Sequence, residues 1–272
     1  MVHQRLMQMR HECRRLLGMM LGKVRLHRIE FLSVSGVDVV RKQRRFLACL
    51  IIPWGNAFQW LTGSPHFALP VRQWLAWERA IDASTRQGLV LIESSGAIER
   101  GSVLVCRHVP GDSLSRILAD CRYSPAQKLD AIRLALTALR RLHAVDADWG
   151  NGTYRSISHG DATACNVIVD MRANSACWID FETRHDPQLA EVDRQTDDLR
   201  SLVYTSAAHL PVSSFCELAD VLLQVDIDRE THQRLKQRLT TEWIHLTPFQ
   251  LAQSPLRWSV AMALRTALLE VC

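Results

Sequence analysis

Ile157-Ser158-His159-Gly160-Asp161-Ala162-Thr163-Ala164-Cys165-Asn166-Val167-Ile168-Val169-Asp170, followed by Trp178-Ile179-Asp180-Phe181-Glu182, is the stretch on which the fold turns. Two apolar runs, residues 167–169 and 177–179, have the composition of short strands. Paired as a hairpin they bring Asp180 back beside Asn166. A lone Asp, Asn or His in a turn usually satisfies its own backbone. Here two polar groups stand in order, each flanked by strand-like residues. They follow the clearest helix of the chain, residues 125–143, whose leucines and alanines begin after the cap residue Ser124. That arrangement favours a built site over a set of independent turns.

The first group resembles the kinase catalytic loop, H-x-D followed by four residues and Asn. The second resembles the metal-binding D-F-G element, in the D-F-E form common among small-molecule kinases. The resemblance implies an α+β, bilobal protein-kinase-like fold, with a small strand-rich N-lobe and a helical C-lobe. It also implies ATP and Mg2+ as cofactors. Asp180 and Asn166 would supply oxygen ligands to magnesium, and Asp161 would orient an acceptor hydroxyl and take up its proton. A hard, small cation prefers these oxygens to the nearby Cys165. His159, next to Asp161 in the catalytic loop, is expected to brace the loop rather than to act as acid or base. An Asp at the start of the next helix, Asp197 or Asp198, would hold the loop's backbone. An acidic helix N-terminus complementing the dipole is an equal account of that pair.

Toward the N-terminus, residues 26–31 and 37–43 read as two strands joined by Ser33, Val34, Ser35 and Gly36. Lys42 lies near the end of the second. The resemblance makes it the lysine offered to the nucleotide phosphates and makes Glu78, on a helix over residues 71–84, the carboxylate that positions it. Strand alternation puts Arg41 on the opposite face. Residues 46–70 mix Trp54, Phe58, Trp60 and Phe67 with Pro53, Gly55, Gly63, Pro65 and Pro70. They are expected to form an apolar insertion that prolines keep from being one long helix. Residues 103–109 would be the hinge, and Pro110-Gly111-Asp112 turns into the second lobe with Ser113 as a cap. The expected division is a basic amphipathic helix over 1–24, an N-lobe over 25–111 and a helical C-lobe over 112–272.

The chain also departs from the pattern. No G-x-G-x-x-G precedes the Lys42 strand, Gly160 stands where many protein kinases have an arginine, and no A-P-E segment follows Asp180. Thr163 stands where a lysine often contacts the transferred phosphate. These features resemble the small-molecule and saccharide branch, including aminoglycoside phosphotransferases, choline kinases and, most closely, lipopolysaccharide core kinases. The implied activity is transfer of the γ-phosphate to a hydroxyl of a sugar or glycolipid acceptor. A pseudokinase acting as a binding module and an aminoglycoside- or choline-type kinase are the competing readings.

Composition fits this picture without deciding it. The chain has 272 residues, is 47% hydrophobic and 22% charged, and carries a formal charge of +5 from 33 basic and 28 acidic residues. Its basic excess is concentrated in the first 45 residues, consistent with a solvated basic face or with contact to an anionic membrane surface. No nucleic-acid partner is expected. The eight cysteines contain no C-x-x-C pair, so they read as reduced thiols. Arg10, His11, Glu12, Arg14 and Arg15 interrupt any apolar leader, and residues 46–54 are too short to cross a bilayer. The expected location is cytoplasmic, with peripheral contact at the inner membrane face.

Overall fold

A computed structural model describes residues 2–21, 27–61, 65–93, 103–148, 152–225, 227–241, 246–254 and 256–271. The first half is built on a sheet. β1 (His27–Val34) and β2 (Val37–Arg44) form an antiparallel hairpin. At its turn Ser35 and Gly36 both have positive φ, 51° and 78°, the backbone that matches a tight hairpin to the twist of its strands. β2 then pairs with β5 (Val103–Arg107) and β5 with β4 (Val90–Glu93), giving the order β1-β2-β5-β4. Between β2 and β4 the chain makes α2 (Phe46–Leu61), β3 (His66–Ala68) and α3 (Val71–Thr85). α3 buries Trp74, Trp77, Glu78 and Ile81, an i, i+3, i+4, i+7 stripe.

Two features differ from the sequence-based expectation. Residues 46–70 are not one long helix, since α2 ends at Leu61 and β3 follows, but Pro53 and Gly55 are not where it breaks, because α2 runs through both. A proline inside a helix costs about 3 kcal/mol. Burial of Ala48 and Ile52, and Asn56 bonding Ala68 of β3 through both its amide atoms at 2.8 Å, work against that cost. The side chains of Phe58 and Trp60, and Gly63 altogether, lie outside the described residues. The second difference is the facing of α1 (Val2–Leu21). Helical spacing places Leu6, Met9, Cys13, Leu16, Leu17 and Met20 on one apolar face of an amphipathic helix, and the Met20 side chain lies outside the described residues. Leu6, Met9, Cys13 and Leu16 are exposed, and the helix docks through His11 and Gly18 instead. The His11 imidazole bonds the Leu256 carbonyl at 2.9 Å and packs against the Trp258 ring.

The second half is mainly helical. Arg107 to Asp112 leads into β6 (Asp112–Ser113) and α4 (Leu114–Ala119), where the Ser113 hydroxyl accepts from Arg116 N. α5 (Pro125–His143) starts on a capping box made by Ser124 and Gln127. β7 (Asp146–Asp148) pairs with β8 (Tyr154–Ser156). β9 (Val167–Asp170) and β10 (Ser175–Trp178) form the expected hairpin, extended by β6. β11 (Thr183–His185) leaves this region and pairs with β3 of the first half, His66 opposite His185. α6 (Glu191–Ala207), α7 (Phe215–Gln224), α8 (Arg229–Thr241), α9 (Pro248–Gln253) and α10 (Trp258–Val271) complete the fold. α6 is buried along almost its whole length and is the axis on which the second half is packed. The fold is thus α+β, strand-rich first and helical second. No described helix is long and apolar enough to cross a membrane.

Candidate active site

Asp198, on the buried helix α6, organises the 157–166 loop. One carboxylate oxygen accepts from His159 N at 2.7 Å and from His143 Nε2 at 3.0 Å, and the other accepts from Gly160 N at 3.0 Å. The choice left open between Asp197 and Asp198 falls on Asp198. Burial pushes its carboxyl up, but His185 and His143 beside it outweigh burial and hold it below the usual range. Asp197 faces elsewhere, toward His185 Nε2 at 3.2 Å and Arg200.

Held by Asp198, the loop fixes three polar side chains. His159 is fully buried; its Nδ1 accepts from Asp161 N at 3.3 Å and its Nε2 donates to the Ile179 carbonyl at 2.9 Å. Its ring rests on Phe181, with centroids 4.6 Å apart, and meets Trp178 edge-on. Both nitrogens are therefore committed, Nδ1 to its own loop and Nε2 to joining it to the 178–182 stretch. Asn166 donates Nδ2 to the Asp161 carbonyl and carboxylate, both at 2.9 Å, and its own carbonyl accepts from Ile179 N. Burial pushes the Asp161 carboxyl up. Gly160 has φ +78°, and a Cβ there would lie 3.0–3.1 Å from the Arg184 backbone. No side chain, arginine included, fits that position without moving β11. Thr163 is turned away, its hydroxyl donating to Gln253 at 2.7 Å.

Asp180 sits at φ +70°, a left-handed backbone that most residues avoid. Its carboxylate is in direct contact with Lys42 Nζ, which also lies 3.5 Å from Glu182. Lys42 and Val40 face inward along β2, whereas Arg41 points the other way and pairs with Glu30 at 2.9 Å. Burial opposes the Lys42 charge, and Asp180, Glu182 and Glu78 more than restore it, raising its pKa. Burial likewise pushes Asp180 up, but Lys42 dominates and holds it below the usual carboxylate range.

Glu78 occupies the expected helix yet takes different partners. It accepts from Trp74 Nε1 and Phe181 N, each at 3.0 Å, while the lysine goes to Asp180 and Glu182. Burial raises its pKa to about 7 from an ordinary 4.5. The folded chain therefore binds this proton more tightly than the unfolded chain. Stability contributed by the neutral form is complete below 4.5 and lost as pH rises toward and through 7. Glu78→Gln keeps an acceptor for both donors and removes the titration. Denaturation at pH 8 is expected to find the variant more stable than the parent by on the order of 3 kcal/mol, with the gap closing near pH 5. A gap independent of pH would show that Glu78 is not the group responsible.

Several contributors carried no motif. Arg44, two residues beyond Lys42 on the same face of β2, bonds the Leu69 carbonyl at 2.7 Å, reaches Glu182 at 3.4 Å and stacks over Trp74. Alternation along β2 was the available signal. His27 approaches Glu182 at 3.0 Å, and burial with Lys42 nearby lowers its pKa to about 3. Burial and Asp180 push the Glu182 carboxyl up, against the pull of Lys42 and Arg44. Lys42 and Asp180, which these residues adjoin, line a cavity of about 390 Å³ between the two halves. Ile29, Val40, Leu104 and Ile168 give it apolar walls, residues 107–109 form one edge, and its ionisable lining comprises Lys42, Glu78 and Asp180 together with Asp82, Arg107, Asp112 and Arg116.

No protein-family model matches the chain, and no curated protein matches it. Among solved structures it is similar to a pseudokinase in its apo form, at 13% identity and a TM-score of 0.43, over 91% of this chain and 90% of that one.

Proposed function

We propose that the chain is an ATP-dependent phosphotransferase that uses Mg2+ and passes the γ-phosphate to a hydroxyl of a non-protein acceptor, a sugar or glycolipid. The observation that carries this reading is the contact of Lys42 with Asp180 in one apolar-walled cavity, with Asn166 tied to the cavity-lining Ile179 through its carbonyl and to Asp161 through its side-chain amide. The residues present fit the cation. Lys42 meets Asp180 and Glu182, Arg44 meets Glu182, and the donors of Asp161, Asp180 and Asn166 are hard oxygens of the kind magnesium takes.

Bound Mg·ATP would supply the transferable phosphoryl group together with the positive charge that neutralises it. Asp180 and Asn166 are the residues to hold the metal. Lys42, released from Asp180, is placed to meet phosphate oxygens, and the apolar walls suit an adenine ring. Asp161 would orient the acceptor hydroxyl and accept its proton, its raised pKa moving it toward the range of an effective base. His159 positions Asp161 through the backbone. On α1, Leu6, Met9 and Leu16 are exposed with Arg5 and Arg10 beside them. That pattern supports peripheral contact with an anionic membrane surface, where a glycolipid acceptor would be found.

A second reading, a kinase-like body without catalysis, draws on one observation: Lys42 occupies the Asp180 carboxylate while Glu78 is engaged by Trp74 and Phe181. The test is transfer of labelled γ-phosphate from Mg·ATP across a panel of sugars, glycolipids and amino alcohols, with Asp161→Asn in parallel. Labelling of one class, reduced about 10²–10⁴-fold in the variant, is expected. Labelling no stronger than that of Asp161→Asn on every acceptor would leave the second reading standing.

A further inference from the structure

Away from the cavity, His66, His185 and Asp197 converge where three elements meet. His66 comes from β3, His185 is its cross-strand neighbour on β11, and Asp197 is on α6. All three are at least 96% buried. His185 Nε2 is 3.2 Å and His66 Nδ1 3.7 Å from the same Asp197 oxygen, and all three ligand atoms lie within 4.8 Å of one another. A tetrahedral first-row cation with bonds of about 2.0–2.1 Å needs ligand atoms roughly 3.3 Å apart. The cluster therefore needs only a small contraction to close on an ion.

Hydrogen-bond bookkeeping points the same way. The His66 Nδ1 atom is buried and has no hydrogen-bond partner, and 3.7 Å from a carboxylate is too long to be a hydrogen bond. A buried polar atom left in that state costs about 1–3 kcal/mol. The surroundings are those of a second ligand shell. Ser158 Oγ holds His185 Nδ1 at 2.9 Å, which leaves Nε2 for an ion. Arg200 fixes the other Asp197 oxygen, and Arg238 stands 3.8 Å from it while shared with Asp193. Asp198, 4.0 Å from His185 Nε2, adds a second negative charge against these guanidinium groups.

We infer that His66, His185 and Asp197 form a site for a zinc-class divalent cation, with water as the fourth ligand, that clasps β3 to β11 and α6. None of the three lines the cavity, and none is a residue assigned to magnesium, Asp180 or Asn166. Imidazole ligands select zinc or cobalt over magnesium. The reading stands whether or not the chain transfers phosphate.

The test titrates the metal-stripped full-length chain with Co2+ and follows its visible absorption. One equivalent is expected to give a tetrahedral band without the thiolate charge-transfer band that exposed Cys13, Cys121 or Cys216 would produce, and Zn2+ should displace it. His66→Gln is expected to weaken uptake about 100-fold or more, whereas Asp180→Asn leaves it unchanged. Circular dichroism of His66→Gln establishes that it is folded; should it not be, His66→Asp, which restores a ligand, replaces it and must bind. Absence of the band in the parent chain, or equal uptake by folded His66→Gln, overturns the site.

Discussion

Asp180→Asn is expected to lower magnesium-dependent phosphotransfer about 10³-fold, equivalent to roughly 4 kcal/mol of barrier, while leaving the chain folded. Asparagine is the informative substitution because Asp180 holds φ +70°, a conformation Asn tolerates and Ala does not. Asp180→Ala would mix backbone strain with lost chemistry. The substitution also frees Lys42, whose remaining acid contact is Glu182 at 3.5 Å. If the Lys42–Asp180 contact is a resting position that nucleotide must open, ADP binding without metal should be unchanged or tighter in Asp180→Asn, and its magnesium dependence should vanish. Calorimetric titration with and without Mg2+ measures both. Full transfer activity in Asp180→Asn would remove the metal role assigned to this residue.

The second large effect concerns stability. Asp198→Ala strips three buried donors of their acceptor at once: His159 N, Gly160 N and His143 Nε2. Each buried donor left without its acceptor costs about 1–3 kcal/mol, so three together cost about 3–5 kcal/mol after partial relaxation. At about 2–4 °C per kcal/mol for chains of this size, Tm should fall by roughly 6–20 °C. The pH dependence has a definite sign. The Asp198 carboxyl is held below its ordinary value of 3.8, so its stabilisation is full above 3.8 and lost as pH falls through the lower folded value. The gap between parent and Asp198→Ala should therefore narrow in acid. A substitution costing under 1 kcal/mol at pH 7 would mean that the 157–166 loop holds itself without α6.

Local signals served well where one element decides the outcome. The positive-φ pair Ser35 and Gly36, the Ser124 cap and the 167–178 hairpin are governed by neighbours in sequence, and patterns of two and 3.6 residues describe them. Alternation along β2 separated Lys42 from Arg41 for the same reason. Long-range packing set the rest. The apolar spacing on α1 marked an amphipathic helix but not the side on which it docks, which His11 sets through Leu256 and Trp258. Pro53 read as a helix breaker, yet α2 is held by Asn56 against β3. The histidines around α6 left no trace in spacing: His66, His143 and His185 come from distant segments and meet only because β3 pairs with β11 and α5 packs on α6.

That pairing of β3 with β11 gives the molecule a second attachment between its halves, reinforced by Leu69 N to the Glu182 carbonyl at 2.8 Å and Asp186 N to the Pro65 carbonyl at 2.9 Å. The covalent link at residues 107–112 is the first. A body fastened at one point can tilt in any direction, but one fastened at two can only swing about the line that joins them. Any hinging of the halves about these two attachments would be a rotation about the line between them, with Asp180, three residues before β11, beside one of the two.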